Sequence, residues 1–239
     1  MLDLLVHNPS EVPSAPGERV HDRVQVGVVA VDTDADGRER ARHGRVQPFV
    51  LRRGSQPGPL RFQLIDRVDL EPGRYQIRVG VESERAKKAG SVFLDVFVPD
   101  FSRASLSASG LAFAFVSPNP VPTARLDPQS AVLPIVPTAI RVFDRRQRVE
   151  VLTRISRGSK SAGPARVRLG VAGEQGDDLW QHDSVVSGER LGRPGGYADF
   201  RMELPLATLP PGTYVISLDV GEPGASTAAW STAVPFIVR

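Results

Sequence analysis

The sequence predicts an all-β fold, on three observations. Apolar residues alternate with polar ones in run after run. Turn-formers are abundant, with 22 Gly and 21 Pro in 239 residues, and no long stretch has helical periodicity. A hexapeptide with the makings of a turn, LEPGRY at 70–75, returns as LPPGTY at 209–214. Many short strands separated by many turns is what this combination favours.

The alternation can be followed along the chain. In RVQVGVVAV (23–31), Val24, Val26, Val28 and Ala30 fall on one face. A strand turns successive side chains to opposite faces, so such a run buries one face and wets the other. RYQIRVGV (74–81) groups Tyr75, Ile77, Val79 and Val81, and SVFLDVFV (91–98) groups Val92, Leu94, Val96 and Val98 in the same way. RVEVLTRI (148–155) and ARVRLGVA (165–172) also alternate. DFRMELPL (199–206) sets Phe200, Met202, Leu204 and Leu206 inward, TYVISLDV (213–220) follows, and PFIV (235–238) closes the chain. Between the runs stand DADG (34–37), SQPGP (55–59), RPGG (193–196) and GEPG (221–224), all turn signals.

The two halves align. RFQLIDRVDLEPGRYQIRVGV (61–81) and DFRMELPLATLPPGTYVISLDV (199–220) both read strand, Leu-bearing connection, Pro-Gly, Tyr, strand. Each is followed by a loop and a final strand. This is the pattern of a duplicated sandwich unit of roughly 100 residues. The expected fold is two tandem immunoglobulin-like or fibronectin type III-like β-sandwiches, over 1–100 and 132–239. The segment between, 101–131, is rich in Pro and Ser and reads as a connector, with LAFAFV (111–116) available to pair with one of the sheets.

The hexapeptide marks the crossing from one sheet to the other. Pro72 and Pro211 preset φ near −65° at the first central position of a tight turn. Gly73 and Gly212 are expected to supply a positive φ at the second. Leu70 and Leu209 are expected to plug the core. Tyr75 and Tyr214 are expected to bury their rings and return a hydroxyl hydrogen bond to the connection, as in a tyrosine corner.

Composition removes several functions. There is no Cys, hence no disulfide, thiolate metal site or Cys nucleophile. Thirty basic residues face 27 acidic ones, for a net charge of +3. The densest basic stretches, Arg38–Arg45 and Arg141–Arg148, have no interleaved aromatics for base stacking and read as strand edges and hairpin loops, without a nucleic-acid partner. The N-terminal MLDLLVHNPSEVP lacks the basic and apolar regions of a signal peptide. No run approaches the ~20 apolar residues of a membrane span.

The sharpest constellation is DTDADG (32–37). Asp32, Asp34 and Asp36 followed by Gly37 match the first half of a calcium loop, whose hard cation wants several carboxylates around one tight turn. The second half departs from the pattern, because His43 stands where a bidentate Glu belongs. The alternative is a solvated Asp-Gly hairpin turn. The histidines at 7, 21, 43 and 182 have no metal-ligand spacing, and no GxSxG elbow occurs. The acid pairs Asp66–Asp69 and Asp177–Asp178 sit beside turn residues and read as solvated loops. Trp180 and Trp230 offer surfaces for sugar stacking, but read first as core or edge residues. No catalytic residue and no cofactor other than Ca²⁺ is indicated.

GSVFLDVFVPDFSRASLSASGLAF (90–113), with LEPGRYQIRVGV before it and VLPIVPTAIRVFDRRQRVEVLTRI (132–155) after it, resembles the C-terminal region of acidobacterial-type proteins that carry a von Willebrand factor type A domain upstream. The resemblance implies a strand-rich tail of an exported protein. The type A domain itself is absent: Asp100, Ser102 and Ser105 approach its D-x-S-x-S signature, but the last serine is one residue too far. The expectation is a non-catalytic structural or protein-interaction module of a larger chain, periplasmic or extracellular, with a protein partner and no membrane insertion. The alternatives are a carbohydrate-binding or calcium-stabilised adhesion module, or the accessory domain of an enzyme.

Overall fold

The computed structural model describes residues 2–6, 19–34, 37–52, 60–116, 121–125, 133–158, 162–191 and 196–239. The SQPGP turn, Asp36, His7 and most of RPGG lie outside them. The fold is all-β. In chain order the strands are β1 (Leu2–Val6), β2 (Arg19–Asp32), β3 (Glu39–Arg52), β4 (Leu60–Ile65), β5 (Gly73–Ser83), β6 (Lys88–Val98), β7 (Ser107–Ala108), β8 (Ala112–Phe115) and β9 (Thr123–Arg125). They continue as β10 (Pro137–Thr138), β11 (Val142–Phe143), β12 (Val149–Ser156), β13 (Ala165–Gly173), β14 (Asp178–Val186), β15 (Tyr197–Glu203), β16 (Gly212–Gly221) and β17 (Trp230–Val238). One helical turn, α1 (Gly188–Leu191), and a 3-10 turn at Leu206–Thr208 complete the described elements.

The chain forms two compact units: 1–100 with 120–132, and 101–119 with 133–239. In the first, a sheet of order β1-β4-β9 faces a sheet of order β3-β2-β5-β6. Val24, Val26 and Val28 of β2 and Phe49 of β3 pack against Phe62 and Leu64 of β4. The Phe49 and Phe62 ring centroids are 4.1 Å apart. In the second, a sheet of order β10-β8-β12-β15 faces one of order β11-β17-β16-β13-β14. Val149, Val151 and Ile155 of β12 meet Val167, Leu169, Ile216, Leu218 and Phe236 of the opposite sheet, all fully buried. Both cores are where the alternation puts them: β2, β12, β13 and β16 each bury every second residue.

Six strands of each unit correspond. β3-β2-β5-β6 has the order of β14-β13-β16-β17, every pair antiparallel, and β1-β4 corresponds to β12-β15. The units differ in what surrounds those six. The second adds β7, β8, β10 and β11, and the first adds β9, parallel to β4. β7, β8 and β9 come from the segment expected to be a connector, whereas β10 and β11 come from the stretch after it. Residues 107–115 pair with β12 and bring Leu106, Ala108, Leu111 and Phe113 into the second core, whereas 123–125 pair with β4. Extended Pro- and Ser-rich backbone suits an edge strand as well as a spacer.

SVFLDVFV departs from expectation. Val92 and Leu94 are 49% and 62% exposed although they point to the core side of their sheet. Their counterparts in β17 lie deeper. Phe236, which matches Val96, is buried beneath Phe113 of β8 and Phe143 of β11, at 6.3 and 6.4 Å between ring centroids. No described strand of the first unit takes the places of β8 and β11, so alternation on β6 chooses a face that nothing described covers.

One charged side chain lies in the second core. Arg157 is 2% exposed, and its guanidinium makes a two-point contact with Glu222 at 2.7 Å per bond. It also donates to the Gly163 and Pro164 carbonyls. Next to it, Gly158 donates its N–H to the Ala104 carbonyl at 3.0 Å. A Cβ on Gly158 would come within 2.5 Å of that same oxygen, so only glycine fits.

Candidate functional site

The two hexapeptides build the same corner. Each connects one sheet to the other, β4 to β5 and β15 to β16. The Tyr75 hydroxyl donates to the Glu71 carbonyl at 2.9 Å, and the Tyr214 hydroxyl to the Pro210 carbonyl at 2.6 Å. Both rings are buried, at 4% and 5% exposure. Leu209 is buried as a plug, whereas Leu70 is half-buried. Pro72 and Pro211 form exposed bends.

The glycines serve a different purpose from the one expected. Among the described residues the positive-φ glycines are Gly37, Gly163, Gly176 and Gly224; Gly73 and Gly212 are not among them. Their role is close approach. A Cβ on Gly73 would sit 3.2 Å from the Tyr75 hydroxyl oxygen and 3.4 Å from the ring, and one on Gly212 3.3 and 3.5 Å from Tyr214. The ring folds back over the residue two positions earlier, and a methyl there would press on it.

Tyr75→Phe is expected to cost about 1 kcal/mol, one net hydrogen bond. Gly73→Ala is expected to cost a similar amount by crowding the ring. The two should not add: with the hydroxyl gone, the atom nearest the new methyl is gone too. A double-mutant cycle by scanning calorimetry checks this, and strictly additive losses would refute the close-approach account.

Beside the first corner lies a cleft of about 310 Å³ lined by Asp32, Arg40, Asp69, Leu70, Glu71, Pro72 and Tyr75. It adjoins the acidic hairpin, which joins β2 to β3 with Gly37 at φ +69°. Asp32 is 8% exposed. One carboxylate oxygen accepts from Arg40 Nε and Nη2 at 3.0 and 2.9 Å, and the other accepts the Asp34 N–H at 2.9 Å. The positive charge facing Asp32 is therefore a guanidinium. Asp34 is exposed, and Asp36 lies outside the described residues. Among the described residues no three His, Cys, Asp or Glu side chains converge on a metal site.

One contact in this region joins residues far apart in sequence. His43 of β3 pairs with Asp66 in the loop after β4, both partly buried. Arg67 of the same loop pairs with Asp69. No spacing rule links positions 43 and 66, so nothing short of the fold reveals the pair. The basic stretches are also largely engaged within the chain. Arg42 pairs with Glu39, Arg148 with Glu203, and Arg141 lies 4.3 Å over the Phe113 ring. Burial pushes the Arg141 guanidinium below its usual pKa. Trp180 and Trp230 are half-buried against the second core, Trp180 stacked on His182.

Among the described residues, four exposed large apolar side chains cluster on β6. Val92, Phe93, Leu94 and Phe97 are 49%, 61%, 62% and 66% exposed. On the outer face Arg78 lies over Phe93 and Arg74 over Phe97, each at 5.9 Å, a cation–π contact that covers only part of each ring. β6 ends its sheet among the described strands. The chain matches no protein-family model, and a search of curated proteins finds no match. No described helix is long and apolar enough to cross a membrane.

Proposed function

We propose that the chain is a non-catalytic structural or protein-interaction module of a larger, exported bacterial protein, built from two immunoglobulin-like or fibronectin type III-like units. The strand orders support the type of unit. A run of four antiparallel strands joined through a tyrosine corner to the facing sheet occurs in both, as in sandwich domains with Greek-key connections. The resemblance of 90–155 to the tails of type A domain proteins supports the larger, exported context.

The observation that carries the interaction role is β6, whose apolar side chains are exposed on both faces of an edge strand. Photo-cross-linking in the producing cells tests the reading. Benzoylphenylalanine at position 93 or 97 is expected to give a discrete protein adduct. At position 185, an equally exposed valine on β14, it should give none. Adducts absent at β6, or equally abundant at all three positions, would overturn it.

A further inference from the structure

We propose that the outer edge of β6 receives an extended strand from a partner protein, apolar on the side turned to the core and acidic on the other. This rests on the reading of the chain as an interaction module and specifies how the partner binds.

The backbone of β6 faces the right way. Thr33 N–H donates to the Arg74 carbonyl at 2.9 Å, so the polar groups of Arg74 point to β2 and not to β6. Phe97, paired with Arg74, therefore turns its N–H and C=O away from β5. In an antiparallel ladder this direction alternates, so Ser91, Phe93 and Asp95 also present their backbone groups to the outer edge. No described strand lies beyond that edge.

The second unit shows what the same edge does when it is occupied. Ile237 is the counterpart of Phe97, each paired with the residue just before the corner tyrosine. Its N–H donates to the Arg141 carbonyl at 2.7 Å, and Arg239 N–H donates to the Phe143 carbonyl at 2.8 Å. The parallel strand β11 is thus added to β17, with Phe143 inserted beside Phe113 and Phe236. Upstream, β17 carries Pro235 at the place of Asp95, and a proline has no N–H to offer. The stretch Lys88–Val98 contains no proline. One unit fills and guards this edge, and no described strand fills it in the other.

The side chains specify the guest. On the inner side, Val92 and Leu94 lack the cover that Phe143 and Phe113 give β17, so the incoming strand must present apolar residues there. On the outer side stand Arg74 and Arg78, which have no acidic partner among the described residues, and between them Asp95 of β6, which faces Gln76. Acidic residues on the guest would neutralise the arginines. A second β6 would bring Asp95 as its one acidic residue, so another copy of this chain matches the two arginines poorly.

The test uses the full chain and two fluorescent, end-capped decapeptides, (Val-Glu)5 and (Val-Lys)5. The acidic peptide is expected to bind, and the basic one to bind at least about tenfold more weakly. Asp95→Pro installs the guard that the second unit already has. It should weaken (Val-Glu)5 binding by at least about tenfold with the melting temperature unchanged. Ser91→Pro, at another outward-facing position, repeats the test without removing an acid. Equal binding to wild type and both proline variants would overturn strand addition, as would no binding of either peptide. Sedimentation showing a dimer that the proline variants dissociate would make the guest a second copy and overturn the partner strand. Cells that cross-link at β6 while the peptides ignore the proline variants would keep the module reading and discard strand addition.

Discussion

Phe236→Ala is expected to destabilise the second unit by about 3–5 kcal/mol. The side chain is 1% exposed and stands among Phe113, Phe143 and Tyr214, with ring centroids 5.6 to 6.4 Å away. These rings come from four strands in both sheets. Truncation removes the transfer energy of one aromatic ring and leaves a cavity that rings held by separate strands cannot close. Urea denaturation followed by tryptophan fluorescence measures the loss, because Trp180 and Trp230 are the chain's two tryptophans and both belong to this unit. Val96→Ala is the matched control in the first unit, followed by far-ultraviolet circular dichroism because that unit holds no tryptophan. Val96 is half-exposed, and the expected cost is under about 1 kcal/mol. Equal losses at the two positions would contradict the difference in cover between β6 and β17.

Glu222→Ala has the second largest expected effect, about 3 kcal/mol. The cost arises less from the glutamate, which is about half exposed, than from Arg157, whose side chain is 1% exposed. Removing the carboxylate leaves a buried guanidinium without its counter-charge, beside the Gly163 and Pro164 carbonyls. The hydrogen bonds from Arg157 hold the Glu222 carboxyl below the usual carboxylate range. Its folded pKa is thus lower than its unfolded one. The contribution is fully present above the unfolded value and fades as the pH falls through the folded one. Wild type should therefore lose stability over that acidic interval relative to Glu222→Ala. Parallel pH profiles for the two proteins would show that the pair does not act this way.

The strands and their inward faces were legible because period two survives in the sequence wherever both sheets are present. Val24 to Ala30, Ala165 to Val171 and Tyr214 to Val220 are buried at every position the alternation selects. The corner was legible for the same local reason: Leu, Pro, Gly and Tyr lie within six residues. The reason for its glycine was not. A glycine required by φ and a glycine required by a neighbouring ring look identical in sequence, and only the contact distances separate them. β6 shows a different limit. Alternation says which face would be buried, but the covering layer comes from elsewhere in the chain. β10 and β11 have two residues each, too few to show any period, yet β11 is what closes the second unit at Phe143. Arg157 and Glu222, like His43 and Asp66, meet through tertiary folding alone. In the calcium-like hairpin, the signal that bears on Asp32 is Arg40, eight residues on, across the turn.

The path of the chain has a practical consequence. It leaves the first unit near residue 100, lends β7 and β8 to the second, returns at 120–132 to lay β9 beside β4, and then leaves again. No single cut yields two intact products. A fragment ending at 100 lacks β9, and one beginning at 132 lacks Phe113, a ring at the centre of its own core. Anyone preparing the halves separately would obtain two crippled pieces. A protease that nicks between β8 and β9 would give fragments that stay associated until denatured, because each would still hold strands of its neighbour's fold.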